Sequence, residues 1–136
     1  MKTLLLTVTL IAMATIPTHA SDKSELLARS GDFGVFMQTS EDGQMSGMVL
    51  AKKEGDKTTT IDGSEDIYPI IAEHCPPEIA AALASQLVKA EITERGGSAR
   101  VQAEVNAQAK TSGAEFYNYL HPITKKAYEA NGVIIP

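Results

Sequence analysis

Apolar and polar residues alternate without a break from Ala99 to Lys110, a pattern that two secondary structures can explain. A period of two is typical of a strand with one buried face. The residue types, however, are mostly Ala, Gln, Glu, Lys and Arg, which favour helices. We therefore predict a helix, with an alanine stripe that allows close approach of a neighbour. In that helix the small apolar residues form two roughly opposite stripes: Ala99, Ala103 and Ala107, and Val101, Val105 and Ala109.

The segment from Asp32 to Asp62 carries the signals of a three-stranded antiparallel meander. Asp42-Gly43 is a strong hairpin signal, because a type I′ turn needs positive φ at both central residues. A two-residue turn at this point places Met37 opposite Met48. A second turn, around Gly55, leads into the strand KTTTID, whose threonines suit the edge of a sheet.

A short helix is predicted before the meander, from about Lys23 to Ser30. Asp22 and Glu25 have the spacing of a capping box, and two leucines follow it. The fold class is therefore expected to be α+β. In that arrangement a short helix precedes a small three-stranded antiparallel meander, and three to four helices follow and pack on it.

The helices after the meander are bounded by proline and glycine. Pro77 suits the first position of a helix, and Gly96-Gly97 and Asn131-Gly132 suit the positions directly after the end of a helix. The apolar tail VIIP is expected to pack on the sheet or on the helices. The predicted helices run from about Ile67 to His74, from Pro77 to about Glu94 before Gly96-Gly97, over Ala99–Lys110, and from Ser112 to Asn131-Gly132 with a kink or restart at Pro122.

The first 20 residues have the pattern of a secretory signal peptide. Lys2 is followed by an uncharged apolar run from Leu4 to Ile16, and Thr18-His19-Ala20 resembles a cleavage site. The run is shorter than the roughly 20 residues that span a bilayer. We expect a periplasmic or secreted protein, with the bacterial periplasm favoured, whose mature chain is a single globular domain of residues 21–136.

Charge argues against binding to nucleic acid. Removing the first 20 of the 136 residues takes away one of the 12 basic residues and none of the 17 acidic ones, so the net charge falls from −5 to −6. An acidic chain without a basic stripe lacks the phosphate contacts that nucleic-acid binding requires. The mature chain also has no second apolar span.

The lone cysteine, Cys75, permits two catalytic or metal-binding hypotheses. As the nucleophile of a hydrolase it would need a base, for which His121 is available, but no orienting carboxylate can be named. As a soft metal ligand it could join Met37, Met48 and the neighbouring His74 in a Cu(I) site, since thioether and thiolate suit that ion. Methionine, however, also fills irregular gaps in cores, and a lone cysteine can be a small buried hydrophobe or link to another chain.

A third hypothesis is binding through an aromatic surface. Tyr117, Tyr119 and Tyr128 lie near Phe116 and His121 in one C-terminal segment. Aromatic side chains are favoured in interfaces because they bury much area at little entropic cost. We therefore expect a non-catalytic accessory protein, without a cofactor, that binds another envelope or secreted protein. Strand addition at the KTTTID edge is the second candidate surface; copper or thiol chemistry and then a hydrolase are the alternatives.

Overall fold

A computed structural model of the chain describes residues 23–62 and 66–136. The chain separates into two compact units, divided between Ile70 and Ile71 within a short helix. The first unit contains an antiparallel sheet and the second contains the longer helices. The predicted signal peptide lies outside the described residues. Among the helices that are described, none has the length and apolarity needed to cross a membrane.

The sheet has four strands, and each pairs with its neighbour in the chain in antiparallel fashion. The order β1-β2-β3-β4 leaves β1 and β4 at the edges, so the KTTTID segment is an edge strand as predicted. The strands are β1 Lys23–Ser30, β2 Phe33–Thr39, β3 Ser46–Glu54 and β4 Lys57–Asp62.

The predicted helix over Lys23–Ser30 is wrong, because this segment is strand β1 and the meander has four strands. A β-bulge between Leu26 and Ala28 interrupts the alternation of apolar and polar residues that would have indicated a strand. Leu26 pairs with Phe36, whereas Ala28 pairs with Val35. Because Val35 and Phe36 are consecutive residues of β2 and lie on opposite faces of the sheet, Leu26 and Ala28 also lie on opposite faces. The extra residue disrupts the period of two by which a strand is recognised.

The predicted register of the central hairpin is confirmed, since Met37 pairs with Met48. The turn itself differs from a two-residue type I′ turn. The N–H of Ser40 donates to the carbonyl of Met45 at 2.8 Å, and the carbonyl of Ser40 accepts the N–H of Gly43 at 2.9 Å. Gly43 has φ 73°. The Asp42 carboxylate accepts hydrogen bonds from the Ser40 hydroxyl and the Gln44 N–H, which lower its pKa.

One face of the sheet carries a cluster formed within this unit. Phe36 and Ala51 are buried in it, and Leu26 and Val49 pack against them. These residues come from the three strands β1, β2 and β3, which explains why β1 joins the sheet: a strand can bury its leucine only beside a partner strand.

The predicted helix positions after the sheet are confirmed, with one difference near the C-terminus. The segment 114–119, expected to be part of the last helix, forms a separate 3₁₀ helix, and Pro122 starts a new α-helix because its ring suits the first helical position. The helices are α1 Ile67–His74, α2 Pro77–Glu94, α3 Ser98–Ser112, the 3₁₀ helix Ala114–Tyr119 and α4 Pro122–Ala130.

Glycines end α2 and α4 as the sequence predicted. After α4, Gly132 has φ 86°, and the N–H of Val133 reaches back to the carbonyl of Tyr128 at 2.9 Å. The N–H of Gly132 also bonds the carbonyl of Glu129 at 3.0 Å, completing a Schellman motif. After α2, the N–H of Gly97 donates to the carbonyl of Ile92, as the N–H of Val133 does to the carbonyl of Tyr128 after α4.

Helix α3 is present as predicted, but the expected role of its alanine stripe is wrong. Val101 and Val105 are buried, whereas Ala99, Ala103 and Ala107 are exposed. Valine buries more apolar area than alanine, so the valine stripe occupies the core.

The C-terminal tail packs against α3, in the same unit. The Gln102 side chain accepts the N–H of Ile134 at 2.6 Å and donates to its carbonyl at 3.0 Å. Val133 and Ile135 are buried on either side of that residue. The tail therefore follows the alternation of an extended segment, with Ile134 facing outward.

Candidate functional site

Four of the aromatic residues singled out in the sequence line one groove of the helical unit, which we call the aromatic groove. It has a volume of about 320 Å³. Tyr117 and Tyr128 are buried, whereas Phe116 and Tyr119 are 42% and 72% exposed. The groove is lined by Arg95, Glu104, Val105, Gln108, Phe116, Tyr117, Tyr119, Leu120, Tyr128 and Ile135.

The 3₁₀ helix positions the exposed rings. Gly113, with φ 89°, turns the chain out of α3 and accepts the N–H of Phe116 at 3.1 Å. The ring of Phe116 packs edge to face with Tyr117 and with Tyr119, at centroid distances of 5.0 and 6.0 Å. Such edge-to-face pairs are favourable beyond the area that they bury. The rings therefore orient one another at the surface.

A network of charged side chains borders these rings. Arg95 donates to the Glu104 carboxylate at 2.7 Å and lies 3.4 Å from the Glu91 carboxylate. The hydroxyl of Tyr128 donates to the same Glu91 oxygen, and Arg100 lies 3.7 Å from Glu104. Because α2 carries Glu91 and α3 carries Glu104, Arg95 connects the two helices across their connecting loop.

The environment of the groove shifts two pKa values. The hydrogen bond to Glu104 raises the pKa of the Arg95 guanidinium above its ordinary value. Burial raises the pKa of the Tyr117 hydroxyl, because the phenolate would lose hydration. The groove therefore combines a Tyr117 hydroxyl that stays neutral at neutral pH with a guanidinium, that of Arg95, which carboxylates hold in place.

His121, which the sequence grouped with the tyrosines, lies in a different cleft. We call it the α2–α4 cleft; it has a volume of about 380 Å³, and Cys75 also lines it. The cleft is lined by Ala72, Cys75, Pro77, Ala80, Ala81, His121, Pro122, Ile123, Lys126, Ala127 and Ala130.

The shared cleft makes the hydrolase hypothesis testable by geometry. His121 is the N-cap of α4, and its Nδ1 accepts the N–H of Ile123 at 3.1 Å. A neutral ring that accepts through Nδ1 carries its proton on Nε2, so Nε2 cannot accept a proton from the Cys75 thiol. The residues lining the cleft include no carboxylate that could reorient the ring. This arrangement argues against a Cys75–His121 catalytic pair.

The candidate copper ligands fall into two pairs. Met37 and Met48 are opposite each other in the sheet unit, whereas His74 and Cys75 belong to the helical unit. The Nε2 of His74 lies 3.0 Å from the Glu73 carboxylate. Within the described parts of the chain, no group of three or more His, Cys, Asp and Glu side chains is arranged to hold a metal ion.

The sequence did not indicate that Arg95 and Glu104 belong to the candidate site. Their i,i+4 partners, Glu91 and Arg100, are visible in the sequence and could have marked a charged surface. The position of that surface beside the tyrosines depends on the packing of three separate segments. A comparison of the chain with protein-family models, curated proteins and solved structures found no match.

Proposed function

We propose that this chain is an exported, non-catalytic accessory protein that binds another envelope or secreted protein through the aromatic groove. Export is supported by the charged start and apolar run of residues 1–20. The observation that carries the binding proposal is the exposure of Phe116 and Tyr119 in a groove that the buried Tyr117 and Tyr128 also line. Large aromatic side chains exposed together are typical of interaction surfaces.

The groove has the composition of an interface centre. Tyrosine and arginine are the residues that most often dominate binding energies, and both line it. A partner would place an apolar side chain against the exposed surface of the Phe116 and Tyr119 rings, which already contact each other. Its surrounding surface would then cover the Arg95–Glu104 pair, whose charges already satisfy each other. Binding would therefore not leave an unpaired charge in the interface.

Capture of the partner from the native cell envelope tests this proposal. The mature protein is crosslinked in envelope extracts, and captured proteins are identified by mass spectrometry. Tyr119→Ala and Phe116→Ala are the test variants. Ile134→Ala is the matched control, because Ile134 is 67% exposed in the same unit and lies outside the groove.

The expected result is a specific partner that is retained by Ile134→Ala and lost with either groove variant. We expect a tenfold or greater loss of affinity, since truncation of a central interface residue costs about 2 kcal/mol or more. Thermal melting of all three variants checks that the fold is intact. Equal capture by the groove variants and wild type would refute this surface.

The β4 edge is the second surface that could serve the same function. Strand β4 lies at the end of the sheet, and Thr59 and Thr60 are exposed in it. A partner strand could add to this edge through main-chain hydrogen bonds. If the Thr59→Lys variant no longer captures the partner while the Tyr119→Ala variant still does, the binding surface is the β4 edge and not the aromatic groove.

Copper binding is a second candidate function, favoured by the paired methionines. Met37 and Met48 are directly opposite on neighbouring strands and half-buried, so two thioethers can converge on one ion. Stoichiometric binding of Cu(I) under reducing conditions, lost in the Met37→Leu/Met48→Leu double variant, would support it. Leucine preserves volume, so the fold should survive this change.

Cys75→Ser separates the thiol alternatives. If Cys75 is a copper ligand, this variant weakens Cu(I) binding. If Cys75 links two chains, a dimer seen on non-reducing gels disappears. Because the side chain is only 8% exposed, we expect neither change.

A further inference from the structure

The α2–α4 cleft has an apolar wall that the proposed protein-binding function does not use. Five of its lining residues are alanines, contributed by α1, α2 and α4. Small side chains on facing helices leave space between the backbones, which explains the volume of about 380 Å³. Cavities of this size that are mostly apolar, with a few polar groups, are typical of small-molecule sites.

The polar side chains of the cleft are donors. Lys126 contributes an ammonium group, and His121 has only its Nε2–H left to offer because Nδ1 caps α4. The acidic residues next along α2 and α4, Glu78 and Glu129, are not among the lining residues. Within the described ranges, Lys126 forms no ion pair. The ligand that complements the cleft is therefore apolar with one anionic group.

We propose that the α2–α4 cleft binds a medium-chain aliphatic carboxylate. The carboxylate lies between Lys126 and the Nε2–H of His121, and the chain lies along the alanine wall. A water molecule occupies roughly 30 Å³ in the liquid, and a methylene group is of similar size. The volume of about 380 Å³ therefore holds about twelve non-hydrogen atoms. A carboxylate with about eight to ten carbons has about that many.

Cys75 provides a reporter of occupancy inside the same cleft. Its side chain is 8% exposed and lines the wall. A ligand in the cleft covers this residue, so it slows the reaction of the thiol with N-ethylmaleimide. This readout does not depend on the protein partner, so the ligand proposal can fail without affecting the proposed function.

The experiment measures binding of octanoate to the full mature chain by calorimetry, together with the rate of Cys75 modification. Octylamine and octanol have the same number of carbons but no negative charge, and we expect them to bind at least tenfold more weakly. Hexanoate should bind roughly fifteenfold more weakly than octanoate, since it lacks two methylenes and each buried methylene contributes about fourfold. Octanoate should slow the modification of Cys75.

Two variants test the donors without disturbing the fold. His121→Asp keeps an acceptor for the N–H of Ile123 but places a negative charge in the cleft, so octanoate binding should be lost. Lys126→Gln should weaken binding about three- to fivefold, as expected for a solvent-accessible ion pair. Lys125→Gln is the matched control, because Lys125 is the adjacent lysine and does not line the cleft; it should bind like wild type.

Any of the following outcomes would overturn the proposal, including either of the two given as the second. The first is that octanoate neither binds nor protects Cys75. The second is that octylamine binds as well as octanoate, or that Lys125→Gln and Lys126→Gln behave alike. The third is tighter binding of an apolar dipeptide with a free C-terminal carboxylate, which would assign the cleft to a chain terminus instead of an aliphatic acid.

Discussion

At the scale of single residues, Gln102 shows how one side chain holds a whole segment. Its amide makes both a donor and an acceptor bond to the backbone of Ile134, as a neighbouring strand would. Its nitrogen also donates to the Asn106 side chain at 3.0 Å. Val133 and Ile135 are buried beside this point. The docking of the tail therefore depends on hydrogen bonds to one residue as well as on apolar burial.

We predict that Gln102→Leu destabilises the protein more than Ala103→Leu does. The first change removes two hydrogen bonds to the backbone of the exposed Ile134, and a hydrogen bond of this kind contributes about 0.5–1.5 kcal/mol net. The second adds volume at an exposed position, where the effect should stay within about 0.5 kcal/mol. Urea unfolding of both variants measures the difference. An equal effect of the two changes would contradict the role of the tail contact.

A second prediction at this scale concerns Tyr117 at alkaline pH. Its pKa is raised in the folded state, so the unfolded state releases its proton first as the pH rises. The neutral hydroxyl therefore contributes stability that is complete below the ordinary tyrosine pKa of about 10 and is lost as the pH rises through the folded value. Unfolding of wild type and Tyr117→Phe between pH 8 and 11 tests this. The variant should lose less stability over that range; parallel curves would contradict the prediction.

At the scale of elements, α4 depends on the chemistry at its two ends. Its N-terminus combines the His121 cap with Pro122 at the first helical position, and its C-terminus ends in the Schellman motif at Gly132. The helix is nine residues long, and isolated helices of that length are marginal in water. The caps and the burial of Ala127 and Tyr128 are therefore what stabilise it.

His121→Ala should destabilise the protein by about 0.5–2 kcal/mol, because the N–H of Ile123 loses its acceptor at the helix end. His121→Asn should recover most of that stability, since asparagine is a favoured N-cap residue. Denaturant unfolding of both variants measures the difference. If the alanine and asparagine variants are equally stable, the imidazole is not acting as a cap.

At the scale of the whole molecule, the chain places its two candidate sites in one unit. The aromatic groove and the α2–α4 cleft are both lined only by residues of the helical unit. The sheet unit contributes the paired methionines and two edge strands. Each candidate surface is therefore formed by residues of one unit, so a substitution at that surface changes that unit's residues alone.

Export is the prediction that belongs to the whole molecule. We expect the mature protein to begin at Ser21, because the apolar run of residues 4–16 is followed by Thr18-His19-Ala20. Mass spectrometry of the protein recovered from the native cell envelope and medium checks this. A chain that keeps residues 1–20 and stays in the membrane would contradict both the cleavage site and the proposed location.

The sequence by itself determined the helix ends and the hairpin register, because these features depend on the residue types at a few neighbouring positions. Pro77 and the glycines after α2 and α4 mark helix ends, because proline suits a first turn and glycine tolerates positive φ. The hairpin register followed from Asp42-Gly43, even though the turn has another geometry. These features depend on neighbouring residues in the chain, so a local pattern suffices to predict them.

Only the tertiary structure decided where distant segments meet. Lys23–Ser30 reads locally as a capped helix, yet it is a strand because β2 offers hydrogen bonds and an apolar face, and a bulge hides its alternation. The buried side of α3, the joining of Arg95 with the tyrosines, and the separation of His121 from them depend equally on contacts between separate segments. Such contacts outweigh local propensity because the burial and hydrogen bonding that they provide exceed preferences of a few tenths of a kcal/mol per residue.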